Sequence, residues 1–522
     1  MKNALLGRFF IQLLLAFGFG ALAHLSFAPY SIEWLAPLSL SFLYLQIVAQ
    51  TFNPKQHGWL GLSFGVGLFS FGLRWVHVSI DNFGGLPLAV SLGLMLLLSL
   101  YLALFSAMVC YLFSKIRTSS PLNNALLFSS LWVAFELIRG KALTGFPWLW
   151  LGYSQTSGIF SQSAATIGAI GLSLLICLIA SLSVASIVDR SKSCAAVLTL
   201  TLLGAFSLNS LQQITQRDQS VDVALVQGNI EQSAKWQSDS MWPTISTYMD
   251  LTRDNLDAEL IFWPEAAMPA VETWVIDYLK LMDKTANFRD SAIITGIIAR
   301  HESTSANSPK TADYYNALVT LGNFEQKTQK SGGYQLNHSN RYYKHQLLPI
   351  GEFVPFEDFL RPLAPLFNLP MSSFARGQWQ QPNLTALGYQ IAPAICYEIA
   401  FPHLVRANMT PQTDLLLTVS NDAWFGRSIG PHQHMEIAQM RAIELGRPLL
   451  RVTNNGVTAI VDTTGVITAQ LPQFEPGVLR ANVNLVSGLT YFYRWGQWPI
   501  IALIILLIWL SIVRKINRPY KA

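Results

Sequence analysis

Ala394-Ile395-Cys396-Tyr397-Glu398 closes the apolar run 389–395 with a thiol and then a carboxylate. A short apolar run of this kind reads as a buried strand, and an open α/β sheet places its chemistry at the ends of such strands. Similar runs recur at 221–230, 259–263, 292–299, 316–321, 415–419, 449–453, 457–461 and 478–483. Helical patterns at 244–256, 273–288 and 434–444 lie between several of them. Strands alternating with helices predict an α/β domain with buried sheets. The polar stretches 307–311 and 329–340 read as exposed loops of that domain.

The rest of the chain has a different solvent. Its 522 residues are 51% hydrophobic and 12% charged, with a mean hydropathy of +0.34, too apolar for an ordinary soluble protein. A helix needs about 20 apolar residues to cross a bilayer. Runs of that kind lie near 9–27, 34–50, 59–78, 86–113, 122–138, 163–188, 195–211 and 498–513. The predicted organisation is a bundle of seven spans over 1–212, a globular domain over 213–495, and an eighth span with a basic tail over 496–522. Lys2, an apolar core and Ala21-Leu22-Ala23 also fit a signal peptide. The run reaches Phe27 and further spans follow, so it is read as a retained span.

Cytoplasmic loops carry the excess of Lys and Arg. Lys2, Arg8, Lys55, Lys115, Arg117, Arg190, Lys192, Arg514, Lys515, Arg518 and Lys521 all fall on one side if seven spans precede the domain. Arg139 and Lys141 dissent. Both termini are therefore expected in the cytoplasm and the domain outside, in a periplasm or its equivalent. The net charge of +5 sits mostly in these loops, so it reflects topology and not a nucleic-acid surface.

Of the four cysteines, Cys110 and Cys177 fall in spans, Cys194 at a cytoplasmic edge, and Cys396 in the external domain. A lone thiol in an oxidising compartment is either reactive or an inert core residue. Two other strand ends carry charge: Trp263-Pro264-Glu265, and Tyr343-Lys344-His345 with Pro349-Ile350-Gly351-Glu352 shortly after. A carboxylate can take the proton of a thiol whose ordinary pKa is about 8.5, and an ammonium favours thiolate and oxyanion. Each residue alone is more often a solvated loop residue; together they make a nucleophile, base and electrophile set.

Glu265, Lys344 and Cys396 in this order, carried by Trp-Pro-Glu, by Lys followed by Leu-Leu-Pro-Ile-Gly-Glu, and by Cys-Tyr-Glu, resemble the nitrilase (carbon-nitrogen hydrolase) superfamily. The resemblance implies a four-layer αββα sandwich over about 221–485. With the spans, Ser420-Asn421-Asp422-Ala423-Trp424-Phe425-Gly426 and Pro431-His432-Gln433-His434, the whole chain is similar to the apolipoprotein N-acyltransferase family. That similarity implies a bacterial inner-membrane enzyme with no cofactor. Glu265 would be its general base, Lys344 its oxyanion-stabilising cation and Cys396 its nucleophile, with Glu352, Tyr397 and Glu398 in support. It further implies a phospholipid acyl donor, phosphatidylethanolamine for preference, and a diacylated apolipoprotein as acceptor. Ile350 departs from the family's usual Phe and affects local packing only.

Several aromatic residues allow two readings. Trp148, in the external stretch 146–151, reads either as the lining of a lipid route or as an interfacial anchor. Trp236, Trp424 and Phe425 read as gates for acyl chains or as core and rim aromatics. His432-x-His434 lacks a third ligand cluster with zinc spacing, so no metal is expected. Two other functions fit parts of the sequence: a membrane-tethered amidase using water, and a transporter with a degenerate domain. The second is disfavoured because the spans hold few ionisable residues, chiefly His24, Arg74, His77 and Glu136.

Overall fold

Apolar helices that must satisfy their backbone in lipid form the N-terminal half of the computed structural model, which describes residues 2–211, 213–302, 312–323, 333–349, 351–353 and 374–517. They are α1 (Lys2–Ala23), α2 (Leu35–Ala49), α3 (Pro54–Gly72), α4 (Val76–Gly84), α5 (Leu88–Ile116), α6 (Pro121–Arg139), α7 (Ala164–Ile187) and α8 (Lys192–Asn209). Among the described residues six segments are long and apolar enough to cross a membrane: Gly7–Ser26, Leu88–Ile116, Pro121–Arg139, Ser161–Ile187, Lys192–Asn209 and Trp498–Ile516. The expected spans near 34–50 and 59–78 correspond to α2, which is shorter, and to α3.

The expected third span is broken: α3 ends at Gly72 and α4 is a separate short helix. Glycines lower the hydropathy of α3 because they serve packing. A Cβ on Gly61 would lie 2.4 Å from the Ser106 carbonyl of α5, and one on Gly67 would lie 2.2 Å from the Phe17 carbonyl of α1. Ile350, Arg518, Lys521, the stretch 307–311 and residues 329–332 of the second polar stretch lie outside the described residues.

The domain is built on two six-stranded sheets, ordered β12-β1-β2-β3-β4-β5 and β11-β10-β9-β8-β7-β6. The first contains β1 (Ile214–Gln227), β2 (Leu260–Phe262), β3 (Ala292–Glu302), β4 (Ala312–Gly322), β5 (Arg341–Tyr343) and β12 (Gly477–Gly488). The second contains β6 (Leu384–Ala386), β7 (Tyr389–Ile395), β8 (Leu415–Ser420), β9 (Leu449–Thr453), β10 (Ala459–Val461) and β11 (Ile467–Gln470). In each sheet three neighbouring strands run parallel, β1-β2-β3 and β7-β8-β9, and antiparallel strands flank them.

Side chains alternate across a strand, and this sorts the core into layers. Val223, Leu225 and Phe262 of the first sheet meet Ile391, Ile395, Leu417 and Val452 of the second. The other face of the first sheet, with Ala224, Val226 and Ile261, packs on α9 (Met241–Arg253) and α10 (Ile276–Phe288) through Ile245, Tyr248, Leu279 and Met282. The other face of the second sheet carries small residues, Ala392, Ala394 and Ala459. It packs on Ala438 and Ala442 of α11 (Gly430–Leu445), in a core continuous with Trp148, Leu151 and Ile170 of the bundle. The result is a four-layer αββα sandwich whose second helical layer is also its seam with the membrane bundle. The chain returns to the membrane in α12 (Trp498–Asn517), which packs on α6.

Candidate active site

Four strand ends and the loops behind them converge at the open end of the sandwich. Glu265 follows β2. Beneath it on β3, Gly296 leaves no room for a side chain: its Cβ would lie 2.4 Å from the Ala266 nitrogen and 2.6 Å from the Pro264 oxygen. Lys344 follows β5, and its backbone N–H donates to the Asn316 carbonyl of β4 at 2.8 Å. Its ammonium is 1% exposed as a side chain, 3.1 Å from Glu265 Oε1 and 2.9 Å from the Glu352 carboxylate. Asn316 Nδ2 donates to both carboxylates, at 2.7 Å and 2.9 Å. The second Glu265 oxygen accepts the Asn421 N–H at 3.0 Å, and Glu352 Oε2 accepts the Leu348 N–H at 2.8 Å.

A second buried cation stands behind the first. Lys235 Nζ donates to the Glu265 backbone carbonyl at 3.2 Å, so two lysines flank Glu265 in one buried cluster. Burial works to raise the Glu265 carboxyl, but the Lys344 charge, the bonds from Asn316 and Lys344, and the Lys235 charge hold it below the ordinary range. Burial works against the Lys344 ammonium, and the Glu265 and Glu352 charges outweigh it and push Lys344 well up. Burial pulls Lys235 down to about 8, with Glu265 opposing.

Cys396 follows β7 with φ at +53°, a left-handed backbone that a non-glycine residue adopts at a cost. It is half-buried, whereas Cys110, Cys177 and Cys194 are buried. Burial and the Glu265 charge push its thiol up, while Lys344 pulls it down. The resting pair is thus a neutral thiol facing an ionised carboxylate, the arrangement needed for general-base activation.

Glu398 stitches two limbs of the site together. One oxygen accepts the N–H groups of His345 at 2.7 Å and Gln346 at 3.0 Å; the other accepts Ile395 N–H at 2.7 Å and the Tyr342 hydroxyl at 3.0 Å. Burial pushes its carboxyl up to about 7, against those N–H donors and the Lys344 charge. Tyr397 leaves the site: its hydroxyl donates to the Gly145 carbonyl of the bundle at 2.8 Å.

The structure therefore brings Glu265, Lys344, Glu352, Cys396 and Glu398 together. Of the aromatic residues, Trp148 and Phe425 pack against the His434 ring, with centroids 5.6 Å and 6.0 Å from it. Trp148 is 2% exposed and its indole donates to Gln433 Oε1 at 2.8 Å. Phe425 packs edge-on against Trp75 with ring centroids 4.7 Å apart, and the Trp424 carbonyl accepts from Ser79 at 2.7 Å, so both mark the seam between domain and bundle. Trp236 is partly exposed, beside Lys235.

Lys235, Asn316 and Asn421 were not singled out by the sequence for this cluster. Asn316 leaves a signal, a lone amide at the start of the apolar run 316–321; Asn421 directly follows strand β8. Lys235 leaves none, because a lysine in a polar loop reads as solvated.

Comparison with known proteins gives the family. Residues 222–489 match the carbon-nitrogen hydrolase family, and residues 19–182 match the apolipoprotein N-acyltransferase N-terminal domain. The apolipoprotein N-acyltransferase of Shewanella oneidensis is 52% identical over 508 residues, covering 97% of this chain and 96% of that one. Those of Photobacterium profundum and Vibrio parahaemolyticus are 48% and 46% identical, covering 94% and 98% of this chain and 92% and 99% of theirs. The chain belongs to the apolipoprotein N-acyltransferase family.

Proposed function

We propose that Cys396 carries the acyl group of this acyltransferase between a phospholipid and the α-amine of an apolipoprotein's N-terminal diacylglyceryl-cysteine. The observation that carries the proposal is the buried Glu265–Lys344–Glu352 cluster acting on a strained, half-buried thiol. Glu265 takes the Sγ proton and the thiolate attacks the ester carbonyl carbon. The Lys344 ammonium, with the Tyr397 N–H as a second donor, stabilises the oxyanion. The ester C–O bond breaks, Glu265 returns the proton to the leaving alkoxide, and a lysophospholipid departs from the thioester.

In the second half the amine attacks the thioester carbonyl. Glu265 takes a proton from the nitrogen, the C–S bond breaks, and the thiolate recovers its proton from Glu265. A covalent carrier lets two lipids use one site in turn. Glu352 and Asn316 hold the Glu265–Lys344 pair, and Glu398 fixes the Lys344 limb to the Cys396 limb.

The donor class we favour is phosphatidylethanolamine, reached from the outer leaflet, with the domain in the periplasm and both termini in the cytoplasm. The positive-inside bias supports this orientation. Arg139, which opposed it, is no loop charge: it is buried and donates to the carbonyls of Phe146, Trp148 and Leu149. The test is to mix detergent-solubilised protein with phosphatidylethanolamine and weigh it intact. An acyl adduct on Cys396, absent in Cys396→Ala and discharged by a diacylated lipopeptide, is expected. No adduct on the wild type, or an undiminished one in Cys396→Ala, refutes the carrier role.

A further inference from the structure

Helix α11 (Gly430–Leu445) carries more polar side chains than the outer layer of a sandwich needs, and they are buried. Gln433, Glu436 and Glu444 lie three and eleven residues apart, on one helical face. Each bonds to the membrane bundle. Gln433 Oε1 accepts the indole N–H groups of Trp75 at 3.1 Å and Trp148 at 2.8 Å, while its Nε2 donates to the Gly72 carbonyl at 3.1 Å. Glu436 accepts the Ala28 N–H at 2.9 Å, and Glu444 accepts the Ala169 N–H at 2.7 Å, where Gly168 interrupts α7. The helix is pinned to the bundle along its length.

His434, the next residue after Gln433, points about 100° away around the same helix and reaches the nucleophile. Its Nε2 lies 3.1 Å from the Cys396 carbonyl oxygen. Its Nδ1 lies 3.0 Å from Arg451 Nη2 and 3.2 Å from Asp422 Oδ1, and the Arg451 nitrogen also bonds Asp422 Oδ2 at 2.7 Å. A carbonyl oxygen can only accept, so Nε2 carries a proton and donates to the Cys396 carbonyl, while Nδ1 lies between the Asp422 carboxylate and the Arg451 guanidinium. Cys396 has a left-handed backbone. The Cys396 carbonyl bonded after the thiol and the Ile395 N–H bonded to Glu398 before it hold the backbone on both sides of a residue that would otherwise relax and carry Sγ away from Glu265 and Lys344.

We infer that His434 is a positioning residue for the acyl transfer: it locks the nucleophile's backbone, and Gln433 locks the same helical turn to the bundle, so that Cys396 is registered against the membrane half of the enzyme. This rests on the reading of Cys396 as the acyl carrier.

Two amides separate this from a merely structural role. In His434→Gln the amide nitrogen can take the place of Nε2 and restore the bond to Cys396. In His434→Asn it takes the place of Nδ1, keeps the Asp422 contact and leaves the Cys396 carbonyl unbound. The measurements are the single-turnover rate of Cys396 acylation by phosphatidylethanolamine, the phospholipid KM, the rate of Cys396 alkylation by iodoacetamide located by peptide mapping, and Tm.

A displacement of the reacting atom of order 1 Å costs ~10²-fold in rate. Acylation in His434→Asn is therefore expected to fall about 10²-fold with KM little changed, alkylation to change with it, and His434→Gln to stay within about 10-fold of the wild type. Gln433→Leu is expected to slow acylation by the membrane lipid about 10-fold and to leave alkylation by the soluble reagent unchanged, since it loosens registration and not the thiol. Equal acylation rates in the Asn and Gln variants, or wild-type acylation in His434→Asn, overturn the proposal. If His434→Asn yields no folded protein, Gln433→Leu decides: acylation and alkylation that move together, or not at all, overturn it. Absence of any adduct on wild-type Cys396 refutes instead the carrier role on which the inference stands.

Discussion

Glu398→Gln changes one atom in a carboxylate that accepts from four donors: the N–H groups of His345, Gln346 and Ile395, and the Tyr342 hydroxyl. The amide keeps one acceptor oxygen. It fits best facing His345 and Gln346, because the opposite orientation would confront two N–H groups with its NH₂. The NH₂ then faces the Ile395 N–H, donor against donor, while the Tyr342 hydroxyl rotates to accept. One buried N–H without an acceptor costs about 1–3 kcal/mol, and two bonds that lose an ionised acceptor weaken by about 0.5–1 kcal/mol each. The sum is a destabilisation of about 2–5 kcal/mol. At about 2–4 °C per kcal/mol for a domain of this size, Tm falls by roughly 4–20 °C.

The freed peptide lies beside Cys396 and the two retained bonds lie beside Lys344, so thiol and ammonium lose their common anchor. Acylation of Cys396 at 25 °C should fall about 10²-fold, as for a displacement near 1 Å. The assay is a thermal scan in detergent at pH 8, with single-turnover acylation on the same sample well below Tm. An unchanged Tm with full acylation refutes the stitching role. An unchanged Tm with abolished acylation assigns Glu398 to the chemistry itself.

Two further outcomes follow from the same cluster. Lys235 helps to hold the Glu265 carboxyl below the ordinary range, so the wild-type acid limb of kcat/KM is expected below the ordinary glutamate range. A depressed carboxyl supports stability above its unfolded pKa and loses that support as pH falls through the folded value. Lys235→Met should therefore move the acid limb to higher pH while Lys235→Arg preserves it, and a superimposable profile for Lys235→Met would exclude the electrostatic role. Gly296→Ala would place a methyl 2.4 Å from the Ala266 nitrogen. It should displace the Glu265 peptide and lower kcat about 10²-fold with little change in phospholipid KM, so wild-type kcat would refute the close approach.

Much of this architecture is legible in the residues alone, for physical reasons that are local. A run of some 20 apolar side chains has few soluble alternatives, and strands such as Ala292–Glu302 and Leu415–Ser420, whose central residues are buried on both faces, read as largely apolar runs. The short strands Arg341–Tyr343, Leu384–Ala386 and Ile467–Gln470 escape this reading, because three or four residues carry no period. Glu265, Lys344 and Cys396 stand out since polar residues ending apolar strands are few.

The partners of polar atoms are settled over distances no local pattern spans. Gln433, Glu436 and Glu444 have the spacing of a solvated helical face, yet the bundle's unpaired backbone groups and indoles turn that face into a buried seam. Arg139 reads as a loop charge until its carbonyl partners are seen, and Lys235 as a surface lysine until Glu265 is found beside it. Most of the apolar segments, the longer strands of the sandwich and the three side chains that end its strands can be read from the residues in order, because hydrophobicity and its period are properties of neighbours along the chain. Which buried polar groups meet follows from the packing, because a hydrogen bond between residues 38 or 408 positions apart depends on where the fold brings them.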